Sequence, residues 1–155
     1  MKQLLVVVAI FSLSASPAER SLPHLAACPR AAAKVPADWQ VFENEASHLR
    51  LSIPPGMQEV EKPQIWCIHG CRQWKRGSFS ISISFGMWGA ESFDEVELKS
   101  ACIDHRKNLD VVEMQSAKTS TLLWPVDGSF VVNVATPDKE DAPDAHAVID
   151  SLRKY

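Results

Sequence analysis

Alternation of apolar and polar residues dominates the middle of the chain and predicts β-strands. In the clearest case, residues 78–85, four serines alternate with four apolar residues: Phe79, Ile81, Ile83 and Phe85. Because successive side chains of a strand point to opposite faces, this pattern predicts a strand with one buried face. Segments 38–43 and 48–53 flank a polar turn at 44–47 and predict a hairpin.

Further extended segments follow the same logic. An extended stretch over 58–67 contains Pro63, which predicts an edge position. Three later strands are expected at 111–117, 121–126 and 129–136, the last two joined by an Asp127-Gly128 turn of hairpin type.

Two segments predict helices. Ser92 and Glu95 form a capping box that opens a helix to about Lys107. A second helix begins near Pro143 and repeats its apolar residues with a period of 3.6. The order of strands, helix, strands, helix predicts an α+β fold, with a largely antiparallel sheet flanked by two helices in an α/β/α sandwich-like arrangement.

The N-terminus predicts export. Lys2 precedes an apolar run over 4–13, and small residues around Ala18 suit cleavage before Glu19, so residues 1–18 are expected to be a signal peptide. A membrane-spanning helix needs about 20 apolar residues, so none is expected once the signal is removed. Residues 19–37 then form an exposed leader, and residues 38–155 a single domain.

A competing processing signal lies at Leu25-Ala26-Ala27-Cys28, which resembles a bacterial lipobox. Residues 19–24 separate it from the apolar run, whereas a lipobox follows that run directly. The expected location is therefore periplasmic or secreted, with a lipoprotein anchored at Cys28 as the alternative.

Composition narrows the functional classes. The 155 residues are 46% hydrophobic and 23% charged with a net charge of −3, as expected for one globular domain without nucleic-acid partners. The sequence carries no nucleophile elbow, no P-loop, no dinucleotide fingerprint and no zinc-protease motif, so neither catalysis nor a cofactor is expected. The acidic residues at 138–144 beside His146 lack calcium-loop spacing and predict a solvated helix start.

Four cysteines follow the predicted cleavage site, and an even number in an oxidising compartment favours pairing. Cys67 and Cys71 are close enough to pair across a tight turn, which leaves Cys28 for Cys102. Lipidation of Cys28 would leave Cys102 without this partner.

The densest cluster of unusual residues lies at 66–76. Its candidate binding residues are two tryptophans, three basic residues and a histidine: Trp66, His69, Arg72, Trp74, Lys75 and Arg76. Exposed tryptophan beside basic groups can bind anionic or carbohydrate surfaces. The alternative is that the tryptophans pack and the charges point to solvent.

A second functional alternative is a thiol or copper-handling protein, because the thiolates of Cys67 and Cys71 with the imidazole of His69 suit copper(I). The spacing resembles that of the copper-handling Sco proteins. Those carry a proline directly after the motif, whereas Arg72 follows here.

The order of elements resembles the PsbP-like superfamily, which includes DcrB-like bacterial lipoproteins. The resemblance is carried by Trp39, by Leu51-Ser52-Ile53-Pro54, by the helix predicted after Ser92, by the strands up to Val134 and by Ile149-Asp150-Ser151-Leu152. It implies an α/β/α sandwich and an accessory or binding role without a shared active site. The sequence thus predicts an exported non-catalytic binding or accessory protein, whose partner is an envelope protein or an anionic ligand.

Overall fold

The computed structural model describes residues 25–29, 32–65, 67–86, 100–117 and 119–155. This part of the chain forms ten β-strands, one α-helix and one 3₁₀ turn. The strands are β1 Gln40–Asn44, β2 Leu49–Ile53, β3 Gln58–Glu59, β4 Cys71–Arg76, β5 Phe79–Phe85, β6 Cys102–Arg106, β7 Leu109–Ala117, β8 Ser120–Pro125, β9 Phe130–Ala135 and β10 Arg153–Lys154. The 3₁₀ turn is Lys139–Asp141 and the helix α1 is Ala142–Ser151.

The strands form two antiparallel sheets. The small sheet has the order β1-β2-β10, and the large sheet has the order β3-β4-β5-β9-β8-β7-β6. The predicted first hairpin is present as β1 and β2, with Phe42 opposite Leu51. Of the extended stretch predicted over 58–67, Gln58–Glu59 forms a strand, β3, which lies at the edge of the large sheet as expected, whereas Pro63 lies outside the strand.

The main core lies between the two sheets and α1. Leu49, Leu51 and Ile53 of β2 alternate toward this core, as do Phe79, Ile81 and Ile83 of β5. The helix contributes one face of its 3.6-residue repeat: Ala145, Val148 and Ile149, followed by Leu152. The alternation seen in the sequence therefore faces the core as expected.

The predicted fold class was wrong. The described chain is mostly β, with two sheets and one short helix, not a sheet flanked by two helices. Residues 92–99 of the predicted middle helix lie outside the described residues, but its last part, Cys102–Arg106, is strand β6. Residues 102–106 are extended because they pair with β7, where Ile103 lies opposite Val112. Asn108 adopts a left-handed φ of 64° at the turn between the two strands.

The segment predicted as a leader is attached to the edge of the large sheet. Ile103 of β6 donates a backbone hydrogen bond to Ala26 at 2.9 Å and accepts one from Cys28 at 3.0 Å. A disulfide joins Cys28 to Cys102, as predicted. Farther along, Ala33 and Val35 pack against the main core. The leader is thus partly built into the domain.

The disulfide between Cys28 and Cys102 is relevant to the cellular compartment of the protein. A stable disulfide is compatible with an oxidising, exported environment. With its sulfur bonded to Cys102, Cys28 cannot carry the acyl chain of the lipoprotein alternative. Among the described residues, no helix has the length and apolarity required to span a bilayer.

Arg106 fastens β6 to the end of α1. Its guanidinium donates hydrogen bonds to the carbonyl oxygens of Ile149 at 2.6 Å and Leu152 at 2.9 Å. These carbonyls lie at the negative end of the helix, where a cation is favourable. Asp104 completes the contact by pairing with Arg106 at 2.8 Å.

Candidate ligand-binding groove

A groove of about 480 Å³ lies between β1 of the small sheet and the start of β4 in the large sheet. All five residues of β1 line it on one side. The opposite side includes Glu59, His69, Cys71, Arg72 and Phe85. Its volume falls within the range typical of small-molecule sites, about 300 to 1,000 Å³.

The floor of the groove is aromatic. Trp74 is buried, with 3% of its surface exposed, and its ring meets Phe42 edge-on at a centroid distance of 5.0 Å and an angle of 63°. Such an arrangement is favourable for two aromatic rings. Trp74 is therefore a core residue, as in the packing alternative, and is not the exposed stacking platform that the binding hypothesis required.

Arg72 forms a wall of the groove. Its Nε pairs with the Glu59 carboxylate at 2.5 Å, and its guanidinium carbon lies 5.4 Å from the Phe42 ring centroid. The ion pair is half exposed, so it contributes little to stability. Its main effect is positional, because it holds a planar donor group over the aromatic floor.

His69 lies at one end of the groove and is held by the backbone. Its N–H donates to the carbonyl of Phe85 at 3.2 Å, and its ring lies against Gly86. A Cβ at Gly86 would come within 2.0 Å of the His69 ring, and Gly86 has a φ of 72°. Glycine at 86 thus permits both the turn and the position of His69.

Cys67 and Cys71 are free thiols, so the predicted disulfide between them is absent. Cys71 begins β4 opposite Ser84, whereas Cys67 lies in the preceding loop. A hydrogen bond with Cys67, together with burial, raises the pKa of the Cys71 thiol. The raised pKa lowers the thiolate fraction, which is the nucleophilic and metal-binding form.

Arg76 lies away from the groove and is already bound. Its guanidinium pairs with Asp141 at 2.7 Å and Asp144 at 2.6 Å, and donates to the Pro55 carbonyl at 2.9 Å. The hydrogen bonds that Arg76 donates to Asp144 and Asp141 raise its pKa. The acidic residues predicted as a solvated helix start therefore partly serve to attach the helix to β4.

The structure divides the predicted site residues into three groups. His69, Arg72 and Trp74 line the groove, with Trp74 as its buried floor. Arg76 is engaged by the helix, and Lys75 is exposed on β4 outside the groove lining. Trp66 lies outside the described residues. Because carboxylates pair with both arginines, the excess positive charge behind the anionic-ligand prediction is largely neutralised.

The described residues offer no metal site at the thiols. Three ligand atoms close enough to share an ion occur in one group of the described chain, formed by Cys28, Cys102 and Glu113. Both sulfurs of that group are bonded to each other, so they cannot ligate a metal. The predicted trio of Cys67, His69 and Cys71 is not brought together in this way.

Phe42, Glu59 and the backbone of β1 line the groove but were not predicted as site residues from the sequence. Each belongs to an element that was recognised, but the groove forms only where the two sheets meet. A weak signal existed in β1, where Val41 and Phe42 are two consecutive apolar residues on a short strand that is otherwise polar. Alternation alone does not show which strand lies opposite.

Comparison with known proteins addresses the fold alone. No protein-family model matches the chain, and no curated protein matches it. A solved protein from Bacteroides thetaiotaomicron VPI-5482, with a crystal structure at 1.50 Å resolution, is similar with a TM-score of 0.51 and 19% identity. The match covers 76% of this chain and 48% of that protein, so this chain spans about half its length. The comparison gives no indication of catalysis, and the resemblance to PsbP-like proteins stays a prediction.

Proposed function

We propose that this chain is an exported, non-catalytic binding protein that holds its ligand in the groove between β1 and β4. The observation that carries this proposal is the groove itself, which combines an aromatic floor with a guanidinium, carboxylates and amides on its walls. An apolar surface with a few oriented polar groups is the usual composition of a binding site. The disulfide and the predicted signal peptide support export.

The ligand class follows from the charges on the walls. Glu59 is paired with Arg72, and Glu43 is paired with Arg50 at 2.8 Å. The groove therefore has little net charge to offer, and a polar ligand without a large charge fits it better than a polyanion. This replaces the basic surface of Arg72, Lys75 and Arg76 as the expected recognition element.

Fragment screening by protein NMR tests the groove. Amide shifts caused by bound fragments are expected to cluster at Phe42, His69 and Arg72. Gln40→Trp should abolish them, because Gln40 is exposed and lines the groove, so an indole there fills the space without entering the core.

Gln64→Trp is the matched control, since Gln64 is also exposed but lies in a loop outside the groove lining. It should leave the fragment shifts unchanged. Shifts that map elsewhere on the protein, or that persist in Gln40→Trp, would contradict the proposal.

A second candidate is a thiol function, favoured by the hydrogen bond between the free thiols of Cys67 and Cys71. Oxidation by a low-molecular-weight disulfide would join the two sulfurs and release two thiols. Titration with glutathione buffers, read by mass after alkylation, measures this couple. A pair that stays oxidised under strongly reducing buffers is a structural staple, and copper(I) binding at these thiols would instead favour the metal alternative.

A further inference from the structure

The direction of the backbone N–H and C=O groups of β1 indicates what kind of ligand the groove can bind. Residues of a strand direct their N–H and C=O groups together toward one edge, and neighbouring residues direct theirs toward opposite edges. If the direction of the N–H and C=O groups is known at one residue, it is known for every residue of that strand. The pairing register then gives the direction of these groups in the partner strand.

Two contacts fix the direction for β2. Ser52 donates its N–H to the hydroxyl of Ser151 at 2.9 Å, and His48, just before the strand, accepts from the N–H of Tyr155 at 3.1 Å. Both contacts lie on the side of α1 and β10. Ser52 therefore points away from β1, and its neighbours Leu51 and Ile53 point toward β1.

The register transfers this result to β1. Phe42 lies opposite Leu51, whose backbone groups point toward β1, so these two residues form a hydrogen-bonded pair. Val41 lies opposite Ser52 and Glu43 opposite Arg50. Val41 and Glu43 must then direct their N–H and C=O groups to the free edge of the small sheet, where β1 is the terminal strand. Within the described residues, no hydrogen bond meets these four groups.

That free edge is the rim of the groove. All five consecutive residues of β1 line it, as expected for a groove that follows the hydrogen-bonding edge of a strand rather than one of its faces. Val41 is 42% exposed, so its side chain does not block the approach.

We propose that the groove binds an extended peptide segment that adds to β1 as a further strand, which specifies the ligand of the function proposed above and rests on it. The donors and acceptors of Val41 and Glu43 repeat at about 6.8 Å, twice the rise per residue of a strand, which is the repeat of an extended polypeptide. Strand addition to an open sheet edge is a common mode of peptide recognition.

The walls define the peptide further. Because Glu43 and Glu59 are each paired with an arginine, charge complementarity favours a segment that is uncharged where it lies in the groove. Phe42 and Phe85 line the groove and are partly buried, so an apolar side chain of the peptide is expected to face them. The added strand supplies the backbone partners, and these rings select the side chain.

The first test replaces one backbone donor. Val41→Pro removes an N–H that faces the groove, and β2 loses no hydrogen bond because Val41 points away from it. Heptapeptides selected by display on the full, disulfide-bonded chain serve as probes, with affinity measured by fluorescence anisotropy. Loss of one backbone hydrogen bond and obstruction by the proline ring should weaken binding by about tenfold or more. Gln64→Pro, in a loop outside the groove, should change affinity by less than about twofold.

A second test needs no protein variant. The selected peptide is N-methylated either at its odd-numbered or at its even-numbered residues. One of these two sets should bind more weakly and the other should bind nearly unchanged, because an added strand turns every second N–H toward β1. Amide exchange should slow at Val41 and Glu43 on peptide binding and change little at Phe42, which is already paired with β2.

Three results would overturn the inference. They are failure to select any peptide, equal affinity of the selected peptide for Val41→Pro, or insensitivity to the parity of N-methylation. Self-association of the protein that disappears in Val41→Pro, without peptide binding, would assign the edge to a second copy of this chain. If fragments still bind in the groove and Gln40→Trp blocks them, the binding function stands and only the peptide assignment fails.

Discussion

The two faces of the seven-stranded sheet are covered differently. The inner face packs against the small sheet and α1, and its fully buried side chains extend from β5 through β9 to β7. The outer face carries a smaller cluster of buried residues in the described chain: Val112, Met114, Trp124 and Val131. Consecutive residues of β9 face the two sides of the sheet: Val132 belongs to the inner cluster and Val131 to the outer cluster.

The outer face also changes character across the sheet. On β5 it carries half-buried serines, and on β7 to β9 it carries apolar residues. Ser84 and Val131 lie opposite each other at this boundary. The serine alternation made β5 easy to recognise, because half-buried serines alternate with fully buried apolar residues along it.

The largest expected effect is the loss of an inner aromatic residue. Trp74→Ala should lower the free energy of unfolding by about 3 to 5 kcal/mol, because a buried tryptophan leaves a large cavity. Trp124→Ala should cost about 1 to 3 kcal/mol, because Trp124 belongs to the smaller outer cluster and is more exposed than Trp74. Urea denaturation of both variants measures the difference. Equal losses would show that the outer face is packed as tightly as the inner one.

The disulfide has the next largest expected effect. It lies near the margin of the outer cluster, where Leu25 and Ala101 pack. Replacing Cys28 and Cys102 together by serine should cost about 2 to 4 kcal/mol, since the bridge closes a long loop in the unfolded chain.

The matched control replaces Cys67 and Cys71 together by serine. These thiols are not bonded to each other, so the free energy of unfolding should change by less than about 1 kcal/mol, the usual range for substitutions outside a packed core. A loss as large as that of the first pair would mean that the second pair is oxidised in the purified protein.

Neighbouring valines of β9 provide the closest comparison of the two faces. Val132 is completely buried on the inner face and Val131 is 7% exposed on the outer face. Val132→Ala should cost about 2 kcal/mol and Val131→Ala about 1 kcal/mol, from the apolar groups lost. Thermal melts of the two variants under identical conditions resolve a difference of this size.

The smallest expected effect depends on pH. Burial alone would raise the pKa of Asp127, but hydrogen bonds from Lys154 and Ser129 outweigh it and lower this pKa. The carboxylate therefore stabilises the folded protein above about pH 4, its unfolded value, and this contribution is lost as pH falls through the lower folded value. Asp127→Asn should cost at most about 0.5 kcal/mol at pH 7, because the pair is exposed. The difference from the unmodified protein should vanish in melts near pH 2.

The sequence predicted those strands whose pattern is local. The first hairpin, β5 and the strands β7, β8 and β9 were recognised because each has a buried face or a marked turn. The final helix was recognised from its 3.6-residue repeat. Strand β6 was not, because Cys102–Arg106 has no clear alternation and owes its conformation to pairing with β7.

The site was predicted less well than the strands. The cluster of basic and aromatic residues at 66–76 predicted Arg72 and Arg76 as binding residues, but the carboxylates that neutralise them come from other segments of the chain. Asp141 and Asp144 lie more than 60 residues from Arg76 in sequence. No local pattern links them, and the groove depends on how the two sheets meet.

The short strand β10 has a consequence for the order of folding. Residues 153–154 complete a sheet whose other two strands lie within residues 40–53, so the chain must close a loop of about a hundred residues to form it. The β5–β9 pairing and the β6–β8 meander need shorter loops and can form earlier. On a ribosome the small sheet cannot be completed until residues 153–154 emerge, and contacts of such separation are associated with slow folding. The β1–β2 hairpin therefore gains its third strand only after residues 153–154 have been synthesised.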